Sequence, residues 1–274
     1  MLKSLQNIKT WLFKSSNVAL TCPITQITDV EHNINIIKIE FNRTSEWKYI
    51  EPIVPALRAL PQWYKDKKRA PLNTLPYAES DRGTIKACPA MLDSMSQGYI
   101  LPLWTDLYVE PTQNPESGAT MPKFTWAGDM KGPNSIPLMT LFSSEATKGL
   151  PNADNLSSFK LHSPWILKTP KGYSTLFIAP LNNKDIMFEA ISGVIHTDVF
   201  TTYINVPFIW TGPPDFTGVI KKGTPLVQMI PFKRDSFEHE LGFISSEDEQ
   251  ERIACEHAIH EGFGGLYRQL FSPK

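Results

Sequence analysis

Several large protein classes are excluded by what this chain lacks. Its three cysteines, Cys22, Cys88 and Cys255, lie far apart and form no C-x-x-C pair. Neither a disulfide scaffold nor a zinc ribbon is therefore written here, and reduced thiols in a cytosolic setting are the expectation. A formal net charge of −1 supplies no bulk attraction to nucleic acid or to anionic lipid. No apolar run approaches the roughly 20 residues of a membrane-spanning helix. The first residues hold no apolar core followed by a small-residue cleavage site, so no secretory leader is expected. Glycine-rich phosphate loops of the Walker or Rossmann type are missing, and neither Ser163 nor Ser174 sits in a G-x-S-x-G setting. These gaps predict no nucleic-acid partner, no membrane span and no cofactor.

Proline and strand-forming residues are present in quantity. The 23 prolines are spread along most of the 274 residues, and proline breaks helix interiors and central ladders alike. Short elements joined by ordered turns are expected, with an apolar fraction of 41% to build a core. The stretch Phe159–Lys233 is dense in β-branched and aromatic residues and is cut by turn residues into strand-length segments. That pattern predicts consecutive strands in a sandwich or barrel. The fold class is thus mainly β, a barrel or sandwich of dUTPase-like or double-stranded β-helix type. It carries an N-terminal amphipathic helix, a proline-rich arm and a C-terminal helix.

The expected organisation is one compact unit in three parts. Residues 1–98 pack on the core, 99–233 form it, and 234–274 hold the C-terminal helix. Leu2, Leu5, Ile8 and Leu12 recur at helical spacing with Lys3, Lys9 and Lys14 around them, a helix that packs on its own domain or oligomer. From Ile37, alternation through Ile39 and Phe41 predicts a half-buried strand. Pro52, Pro55 and Pro61 then punctuate an arm anchored by Trp47, Tyr49, Trp63 and Tyr64, ending in the solvated basic run Lys65 to Arg69. Residues 88–98 read as a short helix with proline at its first turn and glycine past its end. Tyr99–Glu110 reads as a strand. The segment 111–135 reads as a long loop with one strand at Lys123–Ala127, and 143–158 as irregular. Arg234–Phe243 reads as a polar connection, and Ser246 with Glu249 as the capping box of the last helix. Gly262, Gly264 and Gly265 should end or bend that helix.

Two constellations have the residue types of a metal site. His196-Thr197-Asp198, with His239 as a third ligand, has the spacing of the facial triad in Fe(II), 2-oxoglutarate oxygenases. No arginine stands out for the co-substrate carboxylate, and His239 lies in the charged run Glu238-His239-Glu240. His257 and His260 share a helix with Glu256 and Glu261, but no second ligand cluster is evident, so they read as polar face residues.

Gly193-Val194-Ile195-His196-Thr197-Asp198-Val199 resembles the G-V-I-D-x-D-Y motif of the trimeric dUTPase and dCTP-deaminase family. Gly223 with Leu226-Val227-Gln228-Met229-Ile230 is similar to that family's G-D-R-I-A-Q-[LM]-I strand. Thr105-Asp106-Leu107-Tyr108 resembles its first motif, and Gly262-Phe263-Gly264-Gly265 its glycine-rich C-terminal arm. The resemblance covers the second half of the chain and implies that β-fold. It also implies a pocket near Asp106, His162, Asn182, His196, Asp198 and Gln228. The family's water-activating aspartate is replaced by His196 and its deoxyribose-stacking tyrosine by Val199. Its phosphate-binding R-S-G falls at Pro180-Leu181-Asn182-Asn183, which lacks all three residues. Without that clamp a triphosphate has little to hold it, so dUTP hydrolysis is not expected.

Trp47-Lys48-Tyr49-Ile50-Glu51-Pro52, Pro61-Gln62-Trp63-Tyr64-Lys65 and Ala87 through Asp93 to Gly98-Tyr99-Ile100 resemble a family of uncharacterised function. That family occurs in tailed phages, especially marine ones, and in some bacteria. Ser163-Pro164-Trp165 through Tyr173, and the Gly193-Val194-Ile195 strand, are similar to it too. This resemblance implies a phage-related source, with host cytoplasm or virion as location. A homo-oligomer, or a complex with a phage or host protein, is the expected state. The leading expectation is a non-enzymatic structural or binding protein. The alternative is a nucleotide or small-molecule binder or enzyme with its pocket near His196 and Asp198.

Overall fold

The computed structural model describes residues 36–68, 84–127, 137–150 and 157–261. The expected helix over 1–16, Cys22, Arg69, the glycines at 262–265 and parts of the segments 111–135 and 143–158 lie outside the described residues. In chain order the strands are β1 (Glu40–Asn42), β2 (Val54–Pro55), β3 (Tyr99–Pro102), β4 (Leu107–Gln113), β5 (Thr120–Trp126), β6 (Met139–Leu141) and β7 (Ser158–His162). They continue as β8 (Ile166–Lys168), β9 (Tyr173–Ile178), β10 (Phe188–Ala190), β11 (Gly193–Ile195), β12 (Asn205–Trp210), β13 (Gly218–Ile220) and β14 (Pro225–Lys233). The helices are α1 (Gln62–Asp66), α2 (Pro89–Ser96), α3 (Ser144–Thr147) and α4 (Ser246–Glu261).

All pairings are antiparallel. A five-stranded sheet has the order β11-β9-β14-β3-β2 and a four-stranded sheet the order β10-β12-β7-β6. The order β13-β4-β5 makes a three-stranded sheet, and β1 with β8 a two-stranded one. The fold is mainly β, as the strand-rich stretch predicts. One core joins these sheets in a sandwich-like arrangement, with Leu101, Val227 and Met229 from the largest sheet and Leu161 and Val206 from the next. Among the described residues no sheet closes into a barrel.

An aromatic nest fills the middle of this core. The ring of Phe124 stands edge-on to Phe159 at 4.9 Å and to Trp210 at 5.4 Å, and Phe188 meets Phe208 at 4.9 Å. Edge-to-face rings set the positive rim of one against the negative face of the next, which adds to their burial. Strand β14 runs between β9 and β3 with Leu226 to Met229 buried. This half of β14 is thus covered on both faces, which explains its apolar sequence, while Phe232 near its end is exposed.

The expected elements need correction at several joints. Tyr99–Glu110 is not one strand: Leu103–Asp106 separates β3 from β4, and the two join different sheets. Residues 111–126 are mostly a hairpin, with β4 and β5 paired from Leu107↔Trp126 to Gln113↔Thr120. Pro111 is tolerated because β13 pairs only Leu107 to Val109, so the far half of β4 is an edge on that side. The ladder near Ile37 starts only at Glu40, opposite Lys168; Ile39 and Phe41 pack on the core, while Ile37 is exposed. In the proline-rich arm Trp47 and Tyr64 are buried anchors, whereas Tyr49 is exposed.

Helix α2 begins on Pro89 as read, and the chain turns at Gly98 with φ +67°. A Cβ at Gly98 would lie 2.0 Å from the Met229 carbonyl oxygen, so close approach and backbone angle both demand glycine. The segment 143–158 contains α3, capped by the Ser143 hydroxyl accepting from the Ala146 amide. Helix α4 is capped one residue earlier than the sequence reading places it. Ser245 Oγ accepts from the Asp248 amide at 3.1 Å and donates to the Asp248 carboxylate at 2.7 Å.

Residues 36–67 and 90–236 form one compact unit, which holds every described strand; α4 belongs to a second unit. Along α4, Arg252 bridges Glu249 and Glu256 at 2.9 and 2.8 Å. Among the described residues no helix is long and apolar enough to cross a membrane.

Candidate functional site

The residues singled out in the sequence fall into four separate networks. The richest lies where β14 leaves the five-stranded sheet. Register places Lys233 opposite Tyr173 and Ile195 opposite Thr175, so the residues just past β11 and β14 converge on the start of β9. There the Arg234 amide donates to the Gly172 carbonyl at 2.8 Å, and the Gly172 amide donates to Asp198 Oδ2 at 2.9 Å. The Arg234 guanidinium grips both Asp198 oxygens. Its Nη1 also donates to the Tyr173 carbonyl at 2.8 Å and to Ser174 Oγ at 2.9 Å.

Asp198 is held in its charged form. Its side chain is only 3% exposed, and the hydrogen bonds from Arg234, then from the Gly172 amide, hold the carboxyl far below the usual carboxylate range. The same pairing raises Arg234 further above its already high value. Ser174 Oγ lies 2.8 Å from His196 Nδ1. Arg234 donates to the same serine oxygen, so Ser174 links the imidazole to the clamp. Beneath them Thr197 Oγ1 meets Thr169 Oγ1 at 2.8 Å and Thr175 Oγ1 at 2.9 Å.

This arrangement suits a clamp better than chemistry. Ser174 is wholly buried and its hydroxyl is already engaged, so it is not presented as a nucleophile. A metal at Asp198 would have to displace a guanidinium that occupies both oxygens, and would stand close to that positive charge. Among the described residues no group of three His, Cys, Asp or Glu side chains is placed to hold a metal ion. His239 belongs to the second unit, not to the one that holds His196 and Asp198.

Gln228 and Asn182 form the second network. Gln228 lies on β14 six residues before Arg234, about 20 Å away at strand rise. It is 1% exposed. Its Oε1 accepts from the Leu181 amide at 3.0 Å, and its Nε2 donates to the carbonyls of Ser94 and Gln97 at 3.1 and 2.8 Å. It thereby ties β14 to the end of α2 and to the turn at 180–183. In that turn Asn182 takes φ 57°, a left-handed angle asparagine tolerates better than most residues. Its carbonyl accepts from Trp63 Nε1 at 2.7 Å.

Asp106 and His162 stand apart from both. Asp106 accepts from the Lys222 amide at 2.9 Å and from Lys221 Nζ at 3.1 Å, which lower its pKa and fasten the β13–β14 turn. His162, at the end of β7, sits 3.1 Å from Thr140 Oγ1 and 3.0 Å from Asn205 Oδ1. Its pKa is lowered mainly by burial. The cavity found in the core is about 10 Å³, lined by Leu103, Leu107, Leu161, Phe188, Val206 and Phe208 among others. It is apolar, has room for about one water centre, and touches none of the six candidates.

Arg234 and Ser174 are the site residues that sequence reasoning missed. Nothing local marks either one, since Arg234 meets Asp198 only through the pairing of β9 with β11 and β14. No protein-family model and no curated protein matches this chain.

Proposed function

We propose that this chain is a non-enzymatic structural or binding protein whose β-fold serves as a scaffold. One observation carries the reading: the polar side chains suited to chemistry are engaged in holding strands and turns together. Asp198 is gripped by Arg234 and the Gly172 amide, and Gln228 by three backbone groups. Asp106 and His162 each bridge two neighbouring groups. The apolar core void has room for about one water and none for a ligand, which supports binding at the surface. The phage-family resemblance of the segments at 47–52, 61–65 and 87–100 supports a phage-related source, acting in the virion or the host cytoplasm. It also supports a partner that is a second copy or a host protein. The dUTPase-type resemblance supports a scaffold that keeps the strands of that fold without its catalytic residues.

A rival reading, a nucleotide or small-molecule binder, draws on the exposed imidazole of His196 next to Arg234. A thermal-shift screen against deoxynucleotides, 2-oxoglutarate and divalent cations decides between them. A ligand at a hundred times its Kd stabilises by about 2.7 kcal/mol, so a true ligand would be visible. No shift is expected. A shift, or nucleotide hydrolysis, that disappears in His196→Ala would overturn the scaffold reading.

A further inference from the structure

The segment between β14 and α4 reads Phe237-Glu238-His239-Glu240-Leu241-Gly242-Phe243. In an extended chain Phe237, His239, Leu241 and Phe243 share one side, and Glu238, Glu240 and Gly242 the other. Alternation over seven residues is the pattern of a strand with one face buried. Yet among the described residues this segment belongs to no sheet, Phe237 and Leu241 are 89% and 91% exposed, and Phe243 is fully exposed. Among the described residues it is a strand sequence without a ladder, and its apolar side chains are bare.

The same chain offers an open place for such a strand. Among the described residues strand β11 is an edge, paired only with β9. Val194, Leu176 and Ile230 form a cross-strand row on one face of that sheet, and Phe232 follows on the same face. Gln228 shares this face and lies under the end of α2; beyond it Val194 is 52% exposed and Phe232 is exposed as well. On the opposite face of β11, Gly193 leaves open space where a Cβ would stand. An unpaired edge beside bare apolar side chains is where an added strand gains both main-chain hydrogen bonds and apolar contact.

We propose that residues 237–243 of one copy add as a strand to the β11 edge of a second copy, setting Phe237, Leu241 and Phe243 beside Val194 on the open face. The glutamates then fall on the side where Gly193 leaves room. A second copy is the partner because one sequence carries both halves, the uncovered strand and the uncovered edge. This deepens the scaffold reading by naming its partner. A ligand found in the thermal-shift screen would remove that reading and leave this contact standing, whereas a monomeric protein would do the reverse.

Sedimentation velocity on the full chain tests the proposal, with two variants at exposed positions where folding is not at stake. Phe237→Asp/Leu241→Asp disables the strand, and Val194→Lys disables the edge. The wild type should associate with rising concentration. The strand variant should weaken that association at least about a hundredfold, the effect of two lost apolar side chains, and the edge variant at least about tenfold, the effect of one. Mixed together, the variants should form a one-to-one heterodimer, because the intact strand of one meets the intact edge of the other. A wild type that stays monomeric at about 100 µM, well above the Kd range of specific complexes, would overturn the proposal. So would variants that associate like the wild type, or a mixture that stays monomeric.

Discussion

Replacing Gln228 by methionine is the sharpest test of how this fold is held. The two side chains have similar length and volume, so the substitution leaves little cavity and little overpacking. What it removes is three hydrogen bonds at a position 1% exposed, leaving the Leu181 amide and the Ser94 and Gln97 carbonyls without this partner. A buried polar group left unsatisfied costs about 1–3 kcal/mol. The two carbonyls lie at the end of α2, where water can partly replace the lost donor, so the lower end of that range applies to them. The net expectation is a loss of about 2–4 kcal/mol, a large share of the roughly 5–15 kcal/mol that stabilises a domain. Urea unfolding should show a lower midpoint with an unchanged slope. Gln228→Glu sharpens the test, because a carboxylate still accepts from Leu181 but turns lone pairs toward two carbonyls. Its folded pKa should therefore rise above the unfolded value of about 4.3. Stability is then best below that pH, where the neutral acid can donate, and is lost as pH rises toward the folded pKa. A methionine variant within about 1 kcal/mol of wild type, or a glutamate variant whose deficit does not grow with pH, would refute the reasoning.

Two further outcomes follow from the geometry. Asp198→Asn keeps the shape of the clamp but removes the charge that faces Arg234, and it should lower stability at neutral pH. The folded pKa of Asp198 is depressed, so its contribution is full above the unfolded value of about 3.9 and fades below it. The gap between wild type and variant in denaturant midpoints should hold from pH 7 down to about 4, then close; a gap that persists to lower pH would count against the ion pair as its source. Gly98→Ala places a Cβ 2.0 Å from the Met229 carbonyl oxygen at φ +67°, and should cost about 3 kcal/mol or more. Gly118→Ala at φ +70° meets open space and should cost only about 1 kcal/mol, so equal losses in thermal unfolding would show that the close approach is unimportant.

Strand content was legible wherever a local pattern had a single reading. The run Phe159–Lys233 yields β7 through β14, because turn residues cut a β-branched and aromatic sequence at strand length. Helix α2 was legible from Pro89 at its start and Gly98 beyond its end. Ser245 and Ser246 stand side by side, each followed three residues later by an acid, so the sequence alone does not choose the cap. The charges of Glu238 and Glu240 make residues 234–243 look like a polar connection. The alternation of Phe237, Leu241 and Phe243 was nonetheless there to be read.

Short-range pattern therefore determined the fold class, the position of most strands in the second half, and the helix that opens at Pro89. Those properties depend on residues within a few positions of one another. The joining of Asp198 to Arg234, the burial of Gln228 under α2 and the scattering of the six candidates into four networks were decided by tertiary structure. Each depends on which strands pair and in what register, and the aromatic core that packs those strands draws together segments as far apart in the chain as Phe124 and Trp210.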